Sequence, residues 1–220
     1  MNWWILISRS LRFHAKSHLG AGLGAAIGSA VLIGALVMGD SVRGSLRGMA
    51  LARVQGIELA LASEDRFFRA ALADAVAEDL ATIVVPGMQV LGTASRTDAT
   101  ARANQVQVLG VTPEFWALAD AAGELAGLSG GEVALNRRLA EQLNAGPGDV
   151  VLLRVTRPSG LSREAAIAPQ EDATQSLRLK VARVVGDAEM GRFSLRASQI
   201  PPFNAFVPLG WLQEALEIGR

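Results

Sequence analysis

The sequence predicts an α+β extracytoplasmic domain preceded by an amphipathic helix and one transmembrane helix. Three observations carry this: one apolar run long enough to cross a bilayer, a basic amphipathic segment before it, and mixed helix and strand patterns after it. The run is Leu19–Gly39, "LGAGLGAAIGSAVLIGALVMG", without a charge and with Ser29 as its only polar side chain. At 1.5 Å per residue it extends about 31 Å, the thickness of a bilayer's hydrocarbon core. A signal-peptide core is shorter, roughly 7–15 residues. Val37 and Gly39 could still serve as small residues of a processing site ahead of Asp40, but the length favours a retained span. No second run approaches spanning length.

Residues 1–18 form the first element. On a helical wheel Trp3, Trp4, Ile7, Leu11 and His14 share one face, and Arg9, Arg12 and Lys16 share the opposite one. Tryptophans opposite a basic stripe suit a helix lying at anionic headgroups. In the span, residues 19–39, Gly20, Gly24 and Gly28 recur every four residues, a ridge that lets another helix approach closely. The remaining residues, 40–220, form the exported domain, with Asp40 and Ser41 at the exit from lipid.

Charge agrees with a two-sided molecule. Of 21 basic residues, Arg9, Arg12 and Lys16 precede Asp40, whereas all 21 acidic residues lie from Asp40 onward. A basic N-terminal flank favours keeping that end in the cytoplasm, although Arg43, Arg47 and Arg53 follow the span closely. The exported part is mildly acidic with dispersed arginines, which gives nucleic-acid binding no support. There is no cysteine, so no disulfide framework exists.

Beyond the span, "SVRGSLRGMALARVQG" reads as a linking helix opened by a Ser41 cap and ended by Gly56. "IELALA" is a strand candidate and "EDRFFRAALADAVAEDL" a helix. "ATIVVPGMQVLGTA" reads as two strand pieces broken at Pro86-Gly87. "ANQVQVLGV" alternates, with Val106 and Val108 on one face and Gln105 and Gln107 on the other. "TPEFWALA" starts a short helix with Thr112 as cap and Pro113 first. A helix capped by Asn136, a turn at Gly146-Pro147-Gly148 and a strand follow. Residues 157–176 are loop-like and polar, a hinge or a boundary between two lobes. "SLRLKVARVVG" is a strand with Leu177, Leu179 and Val181 inward. "NAFVPLGWLQEALEI" closes as strand and helix, which reads as a C-terminal truncation.

Chemical motifs fail one by one. Gly20-Ala-Gly22-Leu-Gly24-Ala25 fits G-x-G-x-x-A with Asp40 downstream, but no strand precedes it. Gly39-Asp40-Ser41 resembles the GDS block of SGNH-type esterases. Those enzymes need a histidine base, and the only histidines, His14 and His18, lie before the apolar run. A serine–lysine pair with Lys180 has nothing to bring it together. Glu64-Asp65, Glu78-Asp79 and Glu171-Asp172 read as solvated helix ends and loops. The sequence thus predicts no enzyme, no catalytic or cofactor-binding residue and no metal site.

The order of parts, with "GDSVRGSL" after the span, resembles the FtsX-like (MacB/LolC/LolE-type) ABC transporter permeases. "VQVLGVTPEFWAL", "GEVALNRRLAEQLNAGPGDVVLLRV" and "FVPLGWLQEAL" are similar, in order and spacing, to segments of the MacB-like periplasmic core domain. The resemblance implies an inner-membrane permease subunit with its N-terminus inside, paired with a second copy and with cytoplasmic ABC ATPase subunits. ATP would then be bound by the partner, and the permease would transmit motion in export, lipoprotein extraction or mechanotransmission. The family's three later spans and any Walker A sequence are missing. The chain therefore reads as an N-terminal fragment. A single-span anchored binding or sensor module is the competing expectation, and an anchored GDS hydrolase the third.

Overall fold

The computed structural model describes residues 3–63, 67–119, 127–156, 174–196, 198 and 200–218. The chain divides into two compact units, Met1–Ala50 and Leu51–Arg220.

The first unit is helical. Helix α1 covers Trp3–Phe13, a turn falls at His14, and α2 runs unbroken from Ala15 to Val54. The His14 amide still donates to Ser10 and the His18 amide to His14, both at 3.0 Å, so the helical ladder continues through the turn. No proline occurs before Pro86, and nothing else interrupts the ladder. Two expectations change as a result. Lys16 belongs to α2, not to the preceding amphipathic helix. Ser41 opens no helix: it lies inside α2, where the neighbouring N–H groups already have intrahelical partners.

The second unit is a closed six-stranded barrel in the order β1-β2-β6-β3-β5-β4. The strands are β1 Gly87–Arg96, β2 Arg102–Val111, β3 Glu132–Asn136, β4 Val150–Thr156, β5 Thr174–Val185 and β6 Phe203–Pro208. Antiparallel pairing of Gly92 with Val155 and Arg96 with Val151 joins β1 to β4 and closes the ring. Closure leaves no free edge, and this explains a correction. The "IELALA" run is not a strand, and Leu59 and Leu61 are 87% and 75% exposed. "TIVV" is no strand either: β1 begins after Pro86, which cannot donate to a ladder. The helix expected over residues 64–80 is shorter, α3 Ala71–Leu80, with Phe67 and Phe68 outside it.

Strand alternation sorts the apolar residues into two clusters. Val106 and Val108 of β2, Val133 and Leu135 of β3, Leu177, Leu179 and Val181 of β5, and Ala205 and Val207 of β6 share the main cluster. They are joined by Leu139 and Leu143 of α4 (Arg137–Leu143) and Leu212 of α5 (Leu209–Ala215). The intervening residues Leu109, Val111, Ala134 and Phe206 belong to a second cluster with Phe115, Trp116, Met190 and Phe193. The expected alternation of β2 holds for the valines, while Gln107 is only 8% exposed.

Local chemistry fixes the turns. Pro147 and Gly148, the latter at φ +97, fill the two central positions as a type II turn requires, and the Asp149 amide donates back to Gly146. Asn144 takes the left-handed position after α4 at φ +47, a conformation asparagine tolerates. The expected loop over 157–176 lies mostly outside the described residues. Its last residues, Thr174 to Ser176, are already strand, and β4 and β5 on its two sides pair directly.

Candidate functional site at the end of the long helix

The last turn of α2 belongs to the barrel unit and is anchored there at successive residues. Arg53 is buried. Gln55 takes a left-handed conformation at φ +46, and its Nε2 donates to the carbonyl of Asp187 at 2.7 Å. Gly56 donates its amide to the carbonyl of Leu118 at 3.1 Å. A Cβ on Gly56 would lie 2.8 Å from that same oxygen, so only glycine permits the approach. The expected C-terminal signal is therefore present but displaced: Gln55 makes the left-handed turn and Gly56 makes the close contact. Ile57 then packs against the second cluster.

The two carbonyls that receive this end belong to two covers of the second cluster. Leu118 ends the 3₁₀ helix Pro113–Leu118, whose Phe115 and Trp116 are buried. The Thr112 side chain makes no cap bond to it; the Thr112 backbone carbonyl accepts from Phe115 at 3.1 Å instead. Asp187 starts a loop with a short 3₁₀ turn, Asp187–Glu189. The covers touch through Phe115 and Phe193, whose rings meet edge-to-face at 5.4 Å.

A bulge supplies a further contact. Val133 pairs with Val181 but Ala134 with Arg183, so Ala182 is an extra residue on β5. The extra residue flips the phase of the strand, and Arg183 stacks over Trp116 at 4.9 Å. Burial pulls the Arg183 pKa down, partly opposed by Glu189.

Two asparagines secure the loop from the other side. Asn136 Nδ2 donates to Gly191 at 2.8 Å and to Pro202 at 2.9 Å. Its Oδ1 caps α4 through the Leu139 amide at 3.0 Å, as expected, and also accepts the Asn204 amide at 3.1 Å. Asn204 Nδ2 donates to Phe193 at 2.8 Å and to Gly191 at 3.2 Å. Sequence reasoning found the cap and missed the rest. Asn204 stood in a strand pattern that gave no reason to bury it.

These contacts anchor the end of α2 through hydrogen bonds and apolar packing. Among the described residues no group of three or more His, Asp or Glu could hold a metal. A hollow lined by Val111, Pro113, Trp116, Leu128 and Pro208 measures ≈ 40 Å³, far below a metabolite site. Ser41 lies exposed inside α2, and among the described residues it does not follow a strand as a nucleophile turn would.

The family model described as "MacB-like periplasmic core domain" matches residues 21–219. The chain belongs to this family. The family is a domain of ABC transporter permeases and not an enzyme class. Among solved structures, the periplasmic region of MacB from Actinobacillus actinomycetemcomitans is similar at 12% identity, with a TM-score of 0.37. The match covers 67% of this chain and 59% of that one, so the chain spans less than two thirds of that relative's length. No curated protein matches.

In this MacB-like chain the residues expected at the membrane lie in the other unit. Trp3 and Trp4 are 78% and 79% exposed on α1, where Arg9 and Arg12 also lie. Gly20, Gly24 and Gly28 have no non-neighbouring atom within 4 Å of an added Cβ. Past Asp40, Val42, Leu46 and Met49 are exposed at spacings of four and three, the pattern of a helix-pairing seam. Among the described residues one helix, Ala15–Val54, is long and apolar enough to cross a membrane, which together with the family points to an inner-membrane protein.

Proposed function

We propose that this chain belongs to a permease subunit that couples ATP hydrolysis by a separate cytoplasmic ABC ATPase to motion of a periplasmic domain. The observation that carries the reading is the continuity of α2. One helix leads from the apolar run, past Asp40 and the exposed seam, to the anchorage at Gln55 and Gly56. A continuous helix resists compression along its axis, which supports a role for α2 in passing displacement along its own length. The family membership supports the permease assignment. Trp3 and Trp4, with Arg9 and Arg12 on the same helix α1, support an inside N-terminus at the anionic leaflet. The glycine ridge supports pairing with further helices, including those of a second permease copy.

The absence of cysteine makes a direct test clean. Single cysteines at Ser10 and Thr100 are labelled with a membrane-impermeant maleimide in cells whose outer membrane is permeabilised. Thr100→Cys should react in these cells before lysis and Ser10→Cys only after it. The opposite pattern overturns the orientation. Tagged protein purified from its own cells should bring down an ABC ATPase, and recovery without one overturns the transporter reading.

A further inference from the structure

The loop Gly186–Phe193 has no functional part in the sequence-based reading, yet it is held by many contacts. Within itself it closes a ring. Glu189 accepts the Gly186 amide at 2.7 Å, the Gly191 amide donates to Gly186 at 3.0 Å, and the Phe193 amide donates to Met190 at 2.9 Å. Gly191 passes so near that an added Cβ would lie 2.5 Å from the Gly186 oxygen. Met190 sits at φ +64 and is fully buried. A residue with a Cβ adopts that conformation at a cost, and it persists only where the surroundings hold it.

Two independent sets of contacts hold the ring. On one side Gln55, just past the end of α2, donates to Asp187. On the other, Asn136 and Asn204 converge on the Gly191 carbonyl, and Asn204 also takes Phe193. Asn136 is at once the cap of α4, through the Leu139 amide. A chain of named contacts therefore runs from Gln55 through Asp187, the ring and Gly191 to Asn136 and Leu139. Phe193 adds a ring contact to Phe115, on the cover that receives Gly56.

We infer that this loop is a latch that couples the end of α2 to α4. While Gln55 holds Asp187 the ring stays closed around Met190, and the Gly191 carbonyl stays in place for the two asparagines. Displacement of Gln55 relaxes Met190 from its left-handed conformation, withdraws the Gly191 carbonyl and loosens the Asn136 cap. The inference rests on the permease reading for its purpose, since α2 would be the moving part, but its physical content is a coupling between two sites in one chain. Such a coupling is reciprocal: loosening either end must loosen the other by the same factor.

Amide hydrogen exchange on the full chain in a lipid nanodisc tests this without any ATPase. In Gln55→Ala, exchange at Gly191 and Leu139 should accelerate about threefold or more, the loss expected when one weak hydrogen bond no longer supports the closed state. In Asn136→Ala, exchange at Gly56 should accelerate by a similar factor. Thr100→Ala, in the β1–β2 turn, should change none of these amides. Unchanged exchange at Leu139 in Gln55→Ala, or at Gly56 in Asn136→Ala, overturns the latch. If Gln55→Ala does not fold, Gln55→Glu replaces the donor with an acceptor at nearly constant size and is read the same way. A failed latch leaves the maleimide pattern and the ATPase recovery as they were, and a failed permease assignment leaves the exchange result standing.

Discussion

Asn136 and Asn204 share one carbonyl: both side-chain amides donate to Gly191, at 2.8 and 3.2 Å, while the Asn204 backbone amide donates to Asn136 at 3.1 Å. Both residues are buried, at 3% and 0% exposure, so water cannot replace what is removed. Asn136→Ala should cost about 2–4 kcal/mol: about 1 for the lost cap, and the rest for the buried groups left without partners. Asn136→Asp keeps the two acceptor bonds but sets a buried carboxylate oxygen against the Gly191 and Pro202 carbonyls, and should cost at least as much. Urea unfolding of the detergent-solubilised chain measures both. A loss under about 1 kcal/mol for Asn136→Ala would mean that the surrounding carbonyls find other donors.

Gly92 sits where the register between β1 and β2 shifts. An added Cβ there would lie 2.4 Å from the Arg154 oxygen, and backbone on a neighbouring strand cannot step aside cheaply. Opposite it, β2 carries an extra residue, with Gln105 at φ +55. Gly92→Ala should destabilise the barrel by about 1–3 kcal/mol. Gly87, on the same strand, has its nearest atom at 3.9 Å, so Gly87→Ala should stay within about 0.5 kcal/mol. Thermal melts of the two variants separate the cases. Equal shifts would show that glycine matters on β1 for its flexibility, not its size.

Asp98 sits in the turn between β1 and β2, where the Thr100 hydroxyl donates to it at 2.7 Å and the Thr100 amide at 3.1 Å. These bonds, then Arg96, favour the charged form and hold its pKa below the ordinary 3.8. The sign follows: the turn gains stability from Asp98 above pH 3.8 and loses it as the pH falls through the lower folded value. The side chain is half exposed, so the effect is local to the turn. An NMR titration should place the Asp98 carboxyl below 3.8 in the parent and closer to 3.8 in Thr100→Val. An unchanged titration would assign the shift to the backbone amide and Arg96 alone.

How much of this was readable in the sequence depends on how local the cause is. The Asn136 cap, the Pro147-Gly148 turn and the inward Leu177, Leu179 and Val181 are set by neighbours in the chain, and they were legible. Ring closure joins Gly92 to Val155, far apart in sequence, so nothing local showed that "IELALA" would find no edge to join. The bulge at Ala182 is a register choice made by β3, and it alone brings Arg183 to Trp116. Ser41 misled because serine before an apolar helix is a good cap, yet the preceding residues were already helical. The anchorage at Gln55 was hidden for the same reason as the barrel: its acceptor, Asp187, lies 132 residues away.

The glycine ridge gives the sharpest test of the membrane half. Gly20, Gly24 and Gly28 advance only about 40° per step at 100° per residue, so they lie along one face of α2. With no side chain on that face, a second helix can bring its backbone into van der Waals contact, which is the main attraction available between helices in lipid. Gly24→Leu places a branched side chain at the centre of the ridge and should weaken self-association in bilayers by on the order of 1 kcal/mol. Gly22→Leu makes the same chemical change about 160° away around the helix and should leave association unchanged. Donor–acceptor energy transfer between labelled chains in lipid vesicles reads both. If the two variants behave alike, the face carries no contact, and the recurrence of glycine reflects only the small-residue composition of the span.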